Sequence, residues 1–351
     1  MFDPASISDA PNEFAEKPVS NGNGSCVVIG PARSGKTTLL LAMHQACLQP
    51  GETDQRQQGE NPYQQHAGDG YKLDFVPESE STSALVGLAG EFLFRGKTVQ
   101  ASREVMDYSF SIFLSDLRQP GPELSRQITV TDGPGGYLFP GEGGGRNAGT
   151  SAWHTLLSRA RDAQNLVLCV DGSNPGVDVL YNGLPELILG LKGDSRRLPY
   201  LRVLLLITKI DKVIDGFCRG TEESGAGLGP SWKPALIARM LDPVAQTRQL
   251  LGNVIEVLRG SLSSNAILAV GVCSALGFDG KTGNAFASTI LTQAADRRVV
   301  ADRLRDWEPF GVREVVLFLL AGVIHHPLAE VRPASAGFDG RFWNVRVPIY
   351  V

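Results

Sequence analysis

No apolar run in this chain is long enough to span a bilayer. The most apolar stretch, residues 315–324, falls well short of the ~20 residues that a helical span requires. Clustered basic charge is also missing. Lys and Arg total 33 against 37 Asp and Glu, for a formal net charge of −4. No block of like charge stands out, which speaks against a nucleic-acid or anionic-membrane surface. Cysteine is sparse. Cys26, Cys47, Cys169, Cys218 and Cys273 are odd in number, widely spaced and contain no C-x-x-C pair. That pattern argues against a disulfide framework and for a reduced protein. The first residues, M-F-D-P-A-S-I-S-D-A, lack the basic-plus-apolar design of a signal segment, so a cytoplasmic location is expected. The five histidines are scattered. Neighbours His325 and His326 cannot share a helix face, so no metal site is expected there.

What the chain does have is S-C-V-V-I-G-P-A-R-S-G-K-T-T-L-L-L over residues 25–41. A short β-branched run leads into Gly30, four residues, then Gly35-Lys36-Thr37 and an apolar run of helical character. This is a Walker A phosphate loop in its required strand–turn–helix setting. Gly30 and Gly35 permit the tight turn that brings several N–H groups onto phosphate. The helix that follows aims its positive end at the same anion. Lys36 supplies a point charge between the last two phosphates, and the Thr37 hydroxyl suits magnesium. Gly30, Ala32, Arg33, Ser34, Gly35, Lys36, Thr37 and Thr38 form the candidate phosphate-binding set. Arg33 either reaches the phosphates as an internal cation or faces a partner.

Residues 1–24 read as a polar lead-in, and 51–70 as an exposed Gln/Gly-rich insertion. Strands are expected near 25–30, 106–114, 127–131, 165–170, 201–207 and 266–272. Of these, 106–114 alternates apolar and polar residues, as a half-buried strand at a sheet edge does. Residues 82–96 form a helix or a strand. Helices are expected near 35–48, 151–163, 177–191, 234–259 and 311–324. Residues 277–298 look irregular, and the tail 331–351 ends in an alternating segment. The expected organisation is one α/β domain over 25–330, with insertions near 50–85 and 215–233. Its sheet is mainly parallel and covered by helices on both faces, because the runs at 165–170 and 201–207 are apolar throughout. In such sheets ligands bind beyond the carboxyl ends of the strands.

Three further motifs close strands at that end. Asp132-Gly133-Pro134-Gly135 follows the strand at 127–131. An Asp in that place holds magnesium through water, and the Gly135 N–H approaches the terminal phosphate. Thr208-Lys209-Ile210-Asp211 follows the next buried strand but one. A carboxylate there accepts two hydrogen bonds from the ring N–H and exocyclic amine of guanine, a donor pair that adenine lacks. The Lys209 stem can lie over the base plane. Ser274-Ala275 follows the last strand, and a backbone N–H there suits the guanine carbonyl.

Taken in this order, G-P-A-R-S-G-K-T, D-G-P-G, T-K-I-D and S-A-L resemble the GTP-binding proteins of the translation-factor and small-GTPase class of P-loop NTPases. The resemblance spans about 25–276. It implies a three-layer domain, a six-stranded sheet with one antiparallel edge strand, Mg2+, and switching between GTP and GDP. The D-G-P-G-G variant and the long insertions are similar to bacterial double-GTPases of conflict and defence clusters. The same resemblance places a switch threonine ahead of the edge strand. Thr98 and Ser102 are the candidates, and Ser102 is preferred as the metal-side residue because V-Q-A-S sits where relatives carry a small-residue run. Many relatives also carry a water-orienting Gln just after D-x-x-G, where this chain has Gly136. Slow hydrolysis is therefore expected, unless a protein regulator or a second copy in a nucleotide-dependent homodimer supplies the group. A non-hydrolysing nucleotide-binding scaffold and an ATPase are the alternatives, and T-K-I-D argues against the latter.

Overall fold

The computed structural model describes residues 24–31, 34–47, 71–95, 105–116, 124–133, 150–173, 177–193, 195, 197–198, 200–213, 243–279, 307–322, 324, 327–332 and 344–346. In chain order the elements are β1 (Gly24–Ile29), α1 (Lys36–Cys47), β2 (Tyr71–Pro77), α2 (Glu80–Arg95), β3 (Met106–Asp116), β4 (Leu124–Asp132), α3 (Thr150–Asp162), β5 (Asn165–Asp171), α4 (Val177–Lys192), β6 (Arg202–Thr208), α5 (Pro243–Ser261), β7 (Ile267–Val272), β8 (Ser274–Asp279), β9 (Trp307–Phe310), α6 (Val312–Ala321), β10 (Leu328–Arg332) and β11 (Asn344–Arg346).

The main sheet has nine strands in the order β11-β10-β7-β6-β5-β1-β4-β3-β2. Its centre, β7-β6-β5-β1-β4, is parallel throughout. Outside β4, β3 runs antiparallel. These six strands are the expected set. Two additions widen the sheet beyond it. β2 pairs antiparallel with the outer side of β3, so β3 is not the edge that its alternation suggested. At the other side β10 pairs antiparallel with β7, and β11 with β10. The segment 277–298, expected to be irregular, begins inside a strand: β8 runs to Asp279 and pairs with β9 in a separate two-stranded sheet. Of residues 82–96, those up to Arg95 are helix, within α2.

Two cores form because successive strand residues face opposite ways. Val27 and Ile29 pack with Leu156, Leu184, Ile188, Val254 and Leu258 beneath α3, α4 and α5. Cys26 and Val28 pack with Leu39, Met43, Val316 and Phe318 beneath α1 and α6. β5 and β6 are buried along nearly their whole length, which is why their sequences are apolar without alternation. Among the described residues no helix is long and apolar enough to cross a membrane.

Candidate functional site

The carboxyl ends of β1, β4, β5, β6 and β7 converge on one rim, and each sequence motif that falls within the described residues lies there. At the end of β1 the chain turns through Gly30, which has no room for a side chain. A Cβ at Gly30 would stand 2.3 Å from the Cys169 carbonyl oxygen of β5 and 2.6 Å from Ser34 Oγ. The turn closes through Gly35, whose φ of +83° lies in the left-handed region that glycine adopts without cost. Leu39 N–H then donates to Gly35 O at 2.8 Å, so α1 is hydrogen-bonded from its first turn.

Lys36 is 6% exposed. Its Nζ donates to Gly30 O at 3.0 Å, Pro31 O at 2.9 Å and Ser34 Oγ at 3.4 Å. The ammonium therefore sits inside the curve of its own loop, on neutral acceptors that an anionic phosphate oxygen would outcompete. Burial, the largest influence, pulls Lys36 below its ordinary range, and the Asp132 carboxylate opposes that pull. Thr37 Oγ1 donates to Asp132 Oδ2 at 2.7 Å, with Asp132 fully buried. Two hard oxygen donors thus stand together beside the phosphate loop. Among the described residues no cluster of three or more His, Cys, Asp or Glu could hold a metal ion. The donor set fits Mg2+, which takes one or two protein oxygens and completes its shell with phosphate and water.

Thr208 joins this loop to the other end of the site. Its hydroxyl lies 2.6 Å from Ser34 O and 3.0 Å from Val170 O, and donates to these buried carbonyls. Lys209 follows with φ 56°, the sole positive φ at a non-glycine among the described residues. Its stem crosses the phosphate loop, with Cε 3.7 Å from where a Cβ on Gly35 would stand. Its Nζ pairs with Asp171 Oδ2 at 2.5 Å. Asp211 is 2% exposed, and its Oδ1 accepts from Ser274 Oγ at 2.6 Å. Ser274 Oγ in turn accepts from Gly277 N–H at 2.8 Å. Ile210 N–H donates to Cys273 O at 3.2 Å, which stitches the T-K-I-D turn to the end of β7.

The structure therefore brings together Gly30, Ser34, Gly35, Lys36, Thr37, Asp132, Thr208, Lys209, Asp211 and Ser274. Thr38 and Ala275 are half-buried nearby in sequence, on α1 and β8. Ala32, Arg33, Thr98, Ser102, Gly135 and Gly136 lie outside the described residues. Sequence reasoning gives Ser274-Ala275 a backbone role only. Here the Ser274 hydroxyl orients the carboxylate across from it. Asp171 escapes sequence reasoning altogether, although an Asp-x-Ser closing a buried strand is an Asx-turn signal.

Burial, the largest influence on Asp211, pushes its carboxyl above the usual carboxylate range, and the Ser274 hydrogen bond works against that rise. A raised folded-state value means that this group's stabilising contribution is full at low pH. It is lost as pH climbs from the ordinary carboxylate value through the raised one, because the unfolded chain releases its proton first. A guanine held by this carboxylate would require the ionised form, so its binding would have the opposite slope. We expect GDP affinity to fall as pH drops through the raised value, by up to about tenfold per pH unit. Asp211→Asn should abolish that slope, which nucleotide titrations across a pH series would show.

The fold and the site together define an α/β protein with a phosphate-loop-type turn at the carboxyl end of a parallel strand. No protein-family model matches the sequence, and no curated protein does. The chain is similar to solved GTP-binding structures at low scores. One is the signal recognition particle receptor SRb-GTP/SRX complex from Chaetomium thermophilum, at 13% identity over 73% of this chain and 92% of that one, with a TM-score of 0.33. Another is translation elongation factor SelB from Methanococcus maripaludis in complex with the GTP analogue GPPNHP, at 13% identity, 82% and 34% coverage and a TM-score of 0.32. A third is a GTP-binding protein from Sulfolobus solfataricus in complex with GDP, at 16% identity, 80% and 53% coverage and a TM-score of 0.30. The chain thus spans about a third and about half of the last two.

Proposed function

We propose that this chain is a GTP-binding switch that hydrolyses GTP slowly with Mg2+ and acts through a protein partner. One observation carries the reading. The Thr208 hydroxyl bonds the Ser34 carbonyl of the phosphate loop at 2.6 Å, and Asp211 follows three residues later, buried against Ser274. The phosphate loop is thereby tied to the turn that carries Asp211, which supports a phosphate site and a purine site on one rim. Gly30 to Thr38 take the phosphates, and Lys36 lies between the last two. Thr37 and Asp132 hold the metal, with Ser102 as the switch-side candidate. Bound Mg2+ neutralises charge on the phosphates. Thr208, Lys209, Asp211, Ser274 and Ala275 take the base. Gly135 and Arg33 are proposed at the terminal phosphate, where Gly136 offers no side chain to orient water. A regulator or a second copy of the chain completes that chemistry. A cytoplasmic setting without nucleic-acid binding belongs to the same proposal, and the buried free thiols of Cys26, Cys169 and Cys273 agree with a reduced compartment.

Titration with fluorescent GDP, GTP and ATP tests the reading. Guanine nucleotides should bind at least tenfold tighter than ATP, and equal affinities would end the guanine assignment. Lys36→Ala should weaken GTP binding by about 2–4 kcal/mol, the worth of one or two charge-assisted hydrogen bonds. In single-turnover phosphate release the same variant should lose turnover. Gly136 also favours a second reading, a scaffold that holds GTP without turning it over. Binding with no phosphate release by wild type would select it.

A further inference from the structure

Lys209 is held in place by a residue that the phosphate and base motifs do not include. Asp171 ends β5, in register with Thr208 of β6, and its Oδ2 takes the Lys209 ammonium. Its other oxygen is fixed as well: Oδ1 accepts from Ser173 N–H at 2.9 Å and from Ser173 Oγ at 2.6 Å. Gly172 N–H donates to Thr208 O at 2.9 Å, which ties the turn carrying Asp171 to the turn carrying Lys209. Both side chains are largely sheltered, at 24% exposure for Lys209 and 16% for Asp171. The Lys209 backbone is strained at φ 56°, and its stem crosses Gly35. A strained backbone persists where its surroundings over-determine it, which is a feature of ligand clamps. A lysine in solution samples many rotamers. This one is anchored at both ends before a ligand arrives. Burial alone would raise the Asp171 carboxyl, but the bonds from Lys209 and Ser173 outweigh it and hold the group below the usual range, so the anchor stays charged.

We propose that Asp171 is a positioning residue for nucleotide binding: it pins the Lys209 stem across the phosphate loop as a preformed platform for the flat face of a purine nucleoside diphosphate. This rests on the nucleotide-binding reading above and adds a division of labour to it. Asp211 reads the substituents of the base. The Asp171–Lys209 pair supports whichever purine is present, without reading its edge.

That division sets the experiment. GDP and inosine diphosphate, which lacks the exocyclic amine, are titrated against wild type, Asp171→Asn, Lys209→Met and the double variant. Asp171→Asn should weaken both nucleotides by the same factor, roughly threefold to tenfold, the scale set by ordering one long side chain. The ratio of GDP to inosine diphosphate affinity should stay at its wild-type value. In the Lys209→Met background Asp171→Asn should add nothing, since the two act as one unit. Ser173→Ala, which loosens the anchor and leaves the ion pair, should give a smaller loss of the same kind. Additive losses in the double variant, a changed GDP to inosine diphosphate ratio, or unaltered affinity in Asp171→Asn would each overturn the proposal. Failure of the wild-type protein to bind either nucleotide would instead remove the reading beneath it, so the two failures are distinguishable.

Discussion

Asp211→Asn protein is expected to prefer xanthosine nucleotides over guanosine ones. The Asp211 carboxyl is 2% exposed, and Ser274 fixes one of its oxygens at 2.6 Å. In the proposed pose it accepts two donors from guanine. An amide at the same place keeps one acceptor and turns the other position into a donor. That donor would face the guanine amine, and two donors meeting in a site sheltered from water leave both unsatisfied. Losing the charged acceptor and burying the unmatched pair should cost about 3–5 kcal/mol, or roughly a hundredfold to a thousandfold in affinity. Xanthine carries a carbonyl in place of the amine and accepts from the new amide, so its affinity should rise. Competition between GDP and xanthosine diphosphate for a fluorescent nucleotide reads this directly. GDP affinity left intact in the variant would place the base elsewhere.

Gly30→Ala should damage fold and phosphate site together. The added methyl would stand 2.3 Å from the Cys169 carbonyl oxygen, well inside contact distance. That oxygen belongs to β5, which is paired on both sides, with β1 and with β6, and cannot give way. The loop must move instead, and the Lys36 bond to Gly30 O goes with it. Overpacking of this kind costs about 1–3 kcal/mol or more, a fall of several degrees in melting temperature for a protein of this size. GTP binding should be lost alongside, because the backbone N–H groups no longer converge. Gly87→Ala is the control. It lies inside α2, where an added methyl would meet nothing within 4 Å, and should leave binding unchanged and melting unchanged or slightly raised. A Gly30→Ala protein with wild-type melting and binding would mean that the turn is not built as described.

The central layer is legible because burial leaves a plain mark on sequence. β5 and β6 lie in the middle of the sheet, covered on both sides, so the runs at 166–170 and 203–207 could only be apolar. The motif residues are legible for a related reason. Each ends such a run, and a polar residue there must face the rim. The outer strands leave fainter traces. β2 reads Y-K-L-D-F-V-P, an alternation too short to stand out beside a Gln-rich stretch. β8 and β9 are paired across an interval of chain that no local pattern bridges. At the site, the Ser274 hydroxyl on Asp211 is a contact that sequence does not foresee, because a hydroxyl reaching across to a carboxylate depends on how two loops meet. Asp171 escapes notice because its partner lies 38 residues on.

The added strands bear on how two copies of this chain could meet. Among the described residues, the strands at the two sides of the sheet are β2 and β11, and a dimer that prolonged the sheet there would pair along one of them. β11 offers only three residues, too little for a lasting seam, and β2 closes on Pro77, which has no N–H to give. Along these two strands, contact between copies is thereby disfavoured. On the proposed reading, a contact at the rim would be one whose fit a bound nucleotide alters.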